Sequence, residues 1–163
     1  MKAKHQPPPS DIEKLLTSTA RLWIGIDPGV NTGLAVWNRA EKRLIELRTF
    51  TAVGAEDYVR HLVENAGCDV MIVIEDARKR RTFQGGTERY QGAGSVKRDS
   101  KRWEEFCKHN GYAYALVTPS GASNKIAADA EKFEACTGYR CMNGKRFFVS
   151  GHARVAGMLV FGR

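Results

Sequence analysis

The sequence lacks long apolar runs, paired cysteines and an export signal, and each absence narrows the kind of protein that it encodes. No apolar run approaches the roughly 20 residues of a membrane-spanning helix, so no contact with a membrane is expected. The lysines near the N-terminus have no apolar stretch behind them, unlike those of a secretion signal. None of the cysteines has Cys-x-x-Cys spacing, which argues against a zinc site and favours reduced thiols in a cytoplasm. The cysteines are Cys68, Cys107, Cys136 and Cys141.

What is present is the composition of an ordinary globular domain. The chain has 163 residues, of which 42% are hydrophobic and 27% are charged. We expect one folded domain over residues 21–163, preceded by a flexible extension over residues 1–20. Three consecutive prolines at positions 7–9 favour an extended lead-in, and a capping-box pattern predicts a short helix from Asp11 to about Leu16.

Acidic residues are scarce between Arg78 and Arg102. This segment has nine Lys or Arg against two acids, so it carries +7 of the chain's net charge of +8. A charge concentrated in this way indicates a surface for a polyanion such as nucleic acid, with a solvated basic loop as the alternative. Phe83 and Tyr90 are interleaved with these cations and could stack on unpaired bases or pack beneath the loop.

The hydrophobic pattern predicts a sheet flanked by helices. Three strands joined by short polar turns indicate an antiparallel meander, and a later strand that is apolar without alternation is typical of one covered on both faces. The order predicts an α/β fold, a five-stranded mixed sheet in which parallel strands extend the meander and helices cover both faces. The predicted strands span about 21–27, 33–38, 43–50, 70–75 and 112–117, the predicted helices span 55–65, 95–110, 123–136 and 150–161, and a long loop spans 77–93.

Two carboxylates stand at the ends of buried strands. Asp27 ends the apolar run that begins at Leu22, and Glu75 ends the strand that begins at Val70. Groups at the carboxyl ends of neighbouring central strands meet at one edge of a sheet. Glycines at 25, 29 and 33 let backbone or ligand approach Asp27 closely. Each acid could also be an ordinary turn or strand-end residue.

Such a pair of carboxylates predicts a cation site. Two like charges placed close together repel unless a cation lies between them, and carboxylate oxygens suit Mg²⁺ or Mn²⁺. Two such ions beside a phosphodiester would activate a water and stabilise the leaving oxygen. The basic segment next to Glu75 fits a nucleic-acid substrate for this chemistry.

Three motifs in this order resemble the RuvC-type Holliday junction resolvases of the ribonuclease H-like superfamily, and most of all their phage and prophage branch. The motifs are IGIDPGVNTGLAVW at Ile24–Trp37, MIVIE at Met71–Glu75 and HARVAGMLV at His152–Val160. The resemblance covers residues 21–163. It implies a ribonuclease H-like fold and a homodimeric endonuclease that uses two Mg²⁺ or Mn²⁺ ions to cut branched DNA in the cytoplasm of a bacterial cell.

The resemblance assigns catalytic and metal-binding roles to Asp27, Glu75 and His152. The last helix of the family usually carries an aspartate three residues after the position of His152, on the same helix face. Here that position is Val155, which has no lone pair to offer. Cleavage could therefore be weak or absent, which leaves a branched-DNA-binding protein of the same fold as the alternative.

Cations around such a site would position phosphates rather than read bases. Asp129 falls within a predicted helix and is assigned no role. The hairpin sequence GIDPGVNTG also resembles the phosphate loop of actin-like ATPases and sugar kinases, but those enzymes clasp a nucleotide between two such lobes and this length supplies one. The candidate DNA-binding residues are Arg78, Lys79, Arg80, Arg81, Phe83, Arg89, Tyr90, Lys97, Arg98, Lys101, Arg102 and, near the start of its helix, Lys125.

Overall fold

The computed structural model describes residues 8–79, 87–143 and 146–163, and a five-stranded sheet lies at its centre. The strands are β1 (Leu22–Asp27), β2 (Asn31–Asn38), β3 (Arg43–Thr51), β4 (Val70–Glu75) and β5 (Tyr114–Val117). Across the sheet they lie in the order β3-β2-β1-β4-β5. The first three strands pair antiparallel, whereas β4 and β5 are added parallel to β1. The predicted mixed sheet is confirmed.

The turn between β1 and β2 is set by its own residues. Pro28 and Gly29 end β1, and the hydroxyl of Thr32 donates a hydrogen bond to the carbonyl of Gly29 at 2.8 Å. Thr32 is fully buried, so this bond satisfies a hydroxyl that water cannot reach. Strand β2 consequently begins at Asn31, two residues earlier than the sequence pattern indicates.

Helices cover both faces of the sheet, as predicted. On one face, Val59 of α2 and Trp103 of α3 pack against Ile24 and Ile72. On the other face, α5 and α6 pack against the sheet, and Phe133 of α5 belongs to the same core as Trp23 of β1. Within the described ranges the helices are α1 (Asp11–Thr17), α2 (Ala52–Asn65), α3 (Thr87–Asn110), α4 (Gly121–Ala128), α5 (Ala130–Thr137) and α6 (Gly151–Val160).

Helix α3 begins eight residues earlier than predicted. The sequence pattern assigns residues 77–93 to a loop, but residues 77–79 form a short 3₁₀ turn and the helix starts at Thr87. The sequence pattern is misleading here because Gly92 and Gly94, which are more typical of loops, lie inside the helix. A glycine inside a helix costs only about 1 kcal/mol, which the packed part of a long helix offsets.

The helix predicted over 123–136 is two helices divided at Asp129. The backbone of Asp129 is extended, and its carboxylate accepts hydrogen bonds from the backbone N–H groups of Glu131 and Lys132, both at 3.1 Å. Asp129 is therefore the N-cap of α5 rather than a mid-helix residue. The glycine-rich connection that follows also contains a short hairpin, formed by β6 (Met142–Asn143) and β7 (Arg146–Phe147).

Helix α1 is confirmed, with its end one residue beyond the predicted one, and it packs against the edge strand β5. The ammonium of Lys14 lies 4.7 Å from the centroid of the Tyr114 ring. Covering an edge strand in this way hides backbone groups that could otherwise pair with another chain. The domain boundary at residue 21 stays a prediction. No helix in the described part of the chain is long and apolar enough to cross a membrane.

Candidate active site

Asp27 and Glu75 end neighbouring strands. The parallel pairing of β1 with β4 runs in register to Ile26 opposite Ile74, so the next residue of each strand is one of the two acids. Adjacent strands lie about 4.8 Å apart. Asp27 is 9% exposed and Glu75 is 7% exposed, so both carboxylates are largely removed from water. The structure thus meets the condition on which the predicted pairing of the two carboxylates depends, namely that their strands are neighbours.

The two carboxylates face the same layer of helices. Side chains alternate along a strand, and Trp23 of β1 and Val73 of β4 belong to the core that packs under α6. Asp27 and Glu75 lie at the positions that continue this alternation. The acids are therefore directed towards α6 rather than towards α3.

Two glycines of the opening hairpin allow α6 to lie directly on the sheet. A Cβ atom at Gly25 would lie 2.1 Å from the carbonyl oxygen of Ala156, and one at Gly33 would lie 2.0 Å from the carbonyl oxygen of His152. No side chain fits at either distance. Gly33 is the partner of Asp27 in the pairing of β1 with β2, so its contact with the helix brings His152 over Asp27.

His152 contacts Asp27 directly. Its Nδ1 atom lies 2.9 Å from Oδ2 of Asp27, within hydrogen-bonding distance. The imidazole side chain is 55% exposed, whereas the side chain of Asp27 is 12% exposed, so the pair joins a solvent-facing ring to a buried carboxylate. The hydroxyl of Ser150 accepts the N–H of Ala153 and fixes the start of α6 immediately before the histidine.

Ser100 of α3 holds the end of β4 from the opposite face. Its buried hydroxyl accepts the N–H of Ala77 at 3.3 Å and donates to the carbonyl of Glu75 at 3.2 Å. These bonds fix the backbone on both sides of Asp76. Sequence reasoning missed Ser100, because a serine within a polar, basic helix gives no sign that it is buried.

The chemistry of Asp27 and Glu75 suits a divalent ion, although a complete ligand set is not assembled. Mg²⁺ binds proteins through one or two carboxylates and leaves its other positions to water and phosphate. Among residues 8–79, 87–143 and 146–163, no three His, Cys, Asp or Glu side chains are grouped so that they could hold a metal ion. The contact of His152 with Asp27 is observed, whereas convergence of all three residues on one ion stays a prediction.

Val155 occupies the position three residues after His152 in α6 and is partly buried. Residues three apart share a helix face, so a side chain at 155 lies on the same side of α6 as the imidazole. Valine contributes no donor atom there. The family resemblance places a metal ligand at this position, and Val155 does not provide one on the helix face that carries His152.

Arg78 is engaged by acids on the α3 side of the sheet. Its guanidinium makes two hydrogen bonds to the buried Asp76, at 2.8 and 3.0 Å, and one to Glu104 at 2.6 Å. The bonds to Asp76 raise the pKa of Arg78, and a hydrogen bond from Lys108, with help from Arg78, lowers the pKa of Glu104. Asp76 therefore faces away from Asp27 and serves the packing of α3.

Two more candidate cations are paired with acids. The ammonium of Lys79 lies 2.8 Å from a carboxylate oxygen of Asp11 and donates to the carbonyl of Leu116 at 2.8 Å. The guanidinium of Arg102 binds both oxygens of Glu56, at 2.6 and 3.0 Å. These cations tie α1 and α2 to the rest of the fold. Their role in DNA binding stays a prediction.

The remaining candidates differ in what the structure shows of them. Arg98 and Lys101 are exposed on α3, and Lys97 lies on the same helix. Lys125 is exposed in the last turn of α4, not near the start of its helix as expected. Arg80, Arg81 and Phe83 lie outside the described residues, as do the side chains of Arg89 and Tyr90.

Comparison with solved structures identifies the architecture. T. thermophilus RuvC in complex with a Holliday junction substrate matches with a TM-score of 0.54 and 14% identity, over 86% of this chain and 90% of that chain. The fowlpox virus resolvase, in complex with its substrate Holliday junction DNA, matches with a TM-score of 0.39 and 12% identity, over 85% of this chain and 97% of that chain. No protein-family model matches the sequence, and no curated protein does so.

The fold is therefore ribonuclease H-like, an α/β fold built on a five-stranded mixed sheet. Within this class the arrangement of strands and helices is similar to that of T. thermophilus RuvC. The resemblance that the three sequence motifs indicate is confirmed for the fold.

Proposed function

We propose that this protein is a divalent-metal-dependent endonuclease that cuts four-way or related branched DNA junctions. The observation that carries the proposal is the pair of buried carboxylates, Asp27 and Glu75, at neighbouring strand ends with His152 2.9 Å from Asp27. The fold supports it, because the T. thermophilus RuvC that shares it was solved with a Holliday junction substrate.

Asp27 and Glu75 would hold Mg²⁺ or Mn²⁺, and two ions is the number that the family resemblance implies. When bound, such ions make water a better nucleophile at neutral pH and stabilise the charge on the leaving oxygen of a phosphodiester. Burial keeps both carboxylates in fixed positions. His152 orients the carboxylate of Asp27 through their hydrogen bond and is the third candidate ligand.

A four-way junction has two equivalent strands to cut, so symmetric cleavage requires two sites. We therefore propose a homodimer whose nuclease domain spans residues 21–163. The exposed cations of α3 and Lys125 of α4 would hold phosphates of the DNA arms. A bacterial cytoplasm, with a phage or prophage origin, is the setting that the sequence resemblance implies.

Val155 favours a second function, a protein that binds branched DNA and cleaves it weakly or not at all. A two-ion mechanism needs ligands for both ions, and the face of α6 that carries His152 offers no further donor at position 155. Asp27 and Glu75 could still hold one ion. Binding would then depend on the basic surface, which does not require the second ion.

One experiment separates these functions. A synthetic four-way junction is incubated with Mg²⁺ or Mn²⁺ and with the native, Asp27→Asn or Val155→Asp protein. Asp57→Asn, a change at an exposed acid of α2, is the matched control. Cleavage by the native and control proteins but not by Asp27→Asn supports the nuclease. Cleavage by Val155→Asp alone supports a binding protein derived from a nuclease. If none of the proteins prefers the junction over plain duplex, both proposed functions are overturned.

A further inference from the structure

An aromatic side chain is exposed immediately before α6. Phe148 is 60% exposed, while the next residue, Val149, is 6% exposed and anchored in the core. The N–H of Phe148 donates to the carbonyl of Cys141 at 3.2 Å, so the backbone that carries the ring is held in place. Single exposed apolar residues are common on proteins and need no function. What distinguishes Phe148 is the groove beside it.

The groove lies between the end of β3 and the segment that leads into α6. Its volume is about 410 Å³, within the range of pockets that bind small organic groups. Besides Phe148, the uncharged residues that line it include Leu47, Thr49, Val149, Ser150 and Ala153.

The groove is suited to a neutral group rather than to a phosphate. Arg48 also borders it, but the guanidinium of Arg48 lies over the Tyr58 ring, 5.3 Å from its centroid, and pairs with Glu46. Tyr58 and Glu46 are themselves hydrogen-bonded, at 2.7 Å, so this charge is held in a cluster between β3 and α2. An aromatic face with neutral walls matches a planar nucleobase.

Two hydroxyl groups add hydrogen-bonding capacity to the groove. The side chains of Thr49 and Ser150 are hydrogen-bonded to each other. One bond between two hydroxyls uses one O–H, which leaves the second O–H and further lone pairs for another partner. A base stacked on Phe148 could therefore be held at its edge as well as on its face.

The groove is close to the candidate active site. Asp27, Gly33 and Thr49 lie in one row across β1, β2 and β3. Because strands are about 4.8 Å apart, Thr49 is about 10 Å from Asp27 along this row. All three positions face α6. A DNA strand whose phosphate reached Asp27 would thus pass the groove within a few nucleotides.

We infer that this groove binds an unpaired nucleobase of the DNA strand that crosses the Asp27 site, with Phe148 stacked on the base. This inference rests on the proposed function. A base at a branch point is already poorly stacked, so its insertion costs less than extraction from a duplex. Stacking on an aromatic ring accepts any base, so the groove would fix the position of the strand rather than its sequence.

The test uses 2-aminopurine, a fluorescent base, placed at successive positions around the centre of a four-way junction in EDTA. The native protein should change the fluorescence at one or two adjacent positions. Phe148→Ala should abolish this change and weaken binding by about 5- to 150-fold, the range of a lost base–aromatic stack. Phe148→Trp should restore both. Leu16→Ala, at an exposed apolar residue of α1, is the matched control and should change neither.

Each other outcome is decisive. If Phe148→Ala keeps the native fluorescence change and affinity, the groove is not a base site, although junction binding would still support the proposed function. If binding falls in Phe148→Ala and Phe148→Trp does not restore it, the loss comes from altered structure and the inference is overturned. If the native protein does not bind the junction, the proposed function fails and the inference fails with it.

Discussion

The Nδ1 atom of His152 lies 2.9 Å from Oδ2 of Asp27, across 125 residues of sequence. This contact joins the last helix to the first strand of the sheet. It depends on Gly33, where the absence of a side chain lets the backbone of α6 approach β2. The contact lies next to the strand end that carries Glu75.

The pair of buried carboxylates predicts a stability that depends on metal. In EDTA, Glu75→Gln should raise the Tm by about 2–4 °C, because a neutral side chain removes a repulsion of about 1 kcal/mol with Asp27. With Mn²⁺ present, the native protein should gain stability through binding and the variant should gain little. Differential scanning calorimetry in the two buffers measures both effects.

Glu105→Gln is the control for this change, since Glu105 is exposed on α3 and its side chain lies 3.6 Å from that of Lys101. It should shift the Tm little in either buffer. A Glu75→Gln protein that is less stable in EDTA and still stabilised by Mn²⁺ would contradict a site built around both carboxylates.

The close contact at Gly33 predicts that a substitution at this position lowers the free energy of unfolding strongly. Gly33→Ala should reduce the free energy of unfolding by at least about 3 kcal/mol, because its Cβ would lie 2.0 Å from the carbonyl oxygen of His152 and the helix must move. Urea denaturation measures the loss. Gly94→Ala is the control, because a Cβ at Gly94 meets no atom within 4 Å and alanine favours the helix. Equal effects at the two positions would contradict the close packing of α6.

The acids of the site could be predicted from sequence because their signals are local. An apolar run followed directly by Asp27, and another followed by Glu75, indicate buried strands that end in carboxylates. A strand covered on both faces belongs at the centre of a sheet, which makes β4 a central strand, whereas its pairing with β1 is seen only in the structure. His152 was predicted from the family resemblance, and the structure brings it to Asp27.

Other features could not be predicted because they depend on contacts between distant parts of the chain. Thr49 and Ser150 are 101 residues apart, and only the folded sheet places their hydroxyls together. The early start of α3 was missed since Gly92 and Gly94 resemble a loop in sequence. The break at Asp129 was missed because aspartate is compatible with both a helix interior and an N-cap, and packing decides between them.

The ion pairs of Glu104 predict a loss of stability in acid. The hydrogen bond from Lys108, with that from Arg78, holds the pKa of Glu104 below its ordinary value. A carboxylate with a lowered folded-state pKa contributes stability above its unfolded-state pKa and loses that contribution as the pH falls through the folded-state value. Glu104→Gln should therefore lower the free energy of unfolding by about 1–2 kcal/mol at pH 7 and by almost nothing once Glu104 is protonated.

Urea denaturation at a series of pH values between 7 and 3 tests this prediction. Glu105→Gln is again the matched control, because its side chain is 65% exposed whereas that of Glu104 is 18% exposed. The control should show a small difference from the native protein at every pH. A cost of Glu104→Gln that stays constant across the series would contradict an ionic contribution.

The ion pairs also predict which cations of α3 contact DNA. Arg98 is exposed and bonded at 3.5 Å to Ser95, whereas Arg102 binds both oxygens of Glu56. If Arg98 contacts a phosphate, Arg98→Gln should weaken junction binding and reduce the slope of log affinity against log salt by about 0.9. Arg102→Gln should change this slope less, because its charge is already paired. Fluorescence anisotropy across a salt series measures both slopes. If the slope falls equally in the two variants, the ion pair of Arg102 with Glu56 opens when DNA binds. A native affinity that does not depend on salt would rule out a phosphate-binding surface on this helix.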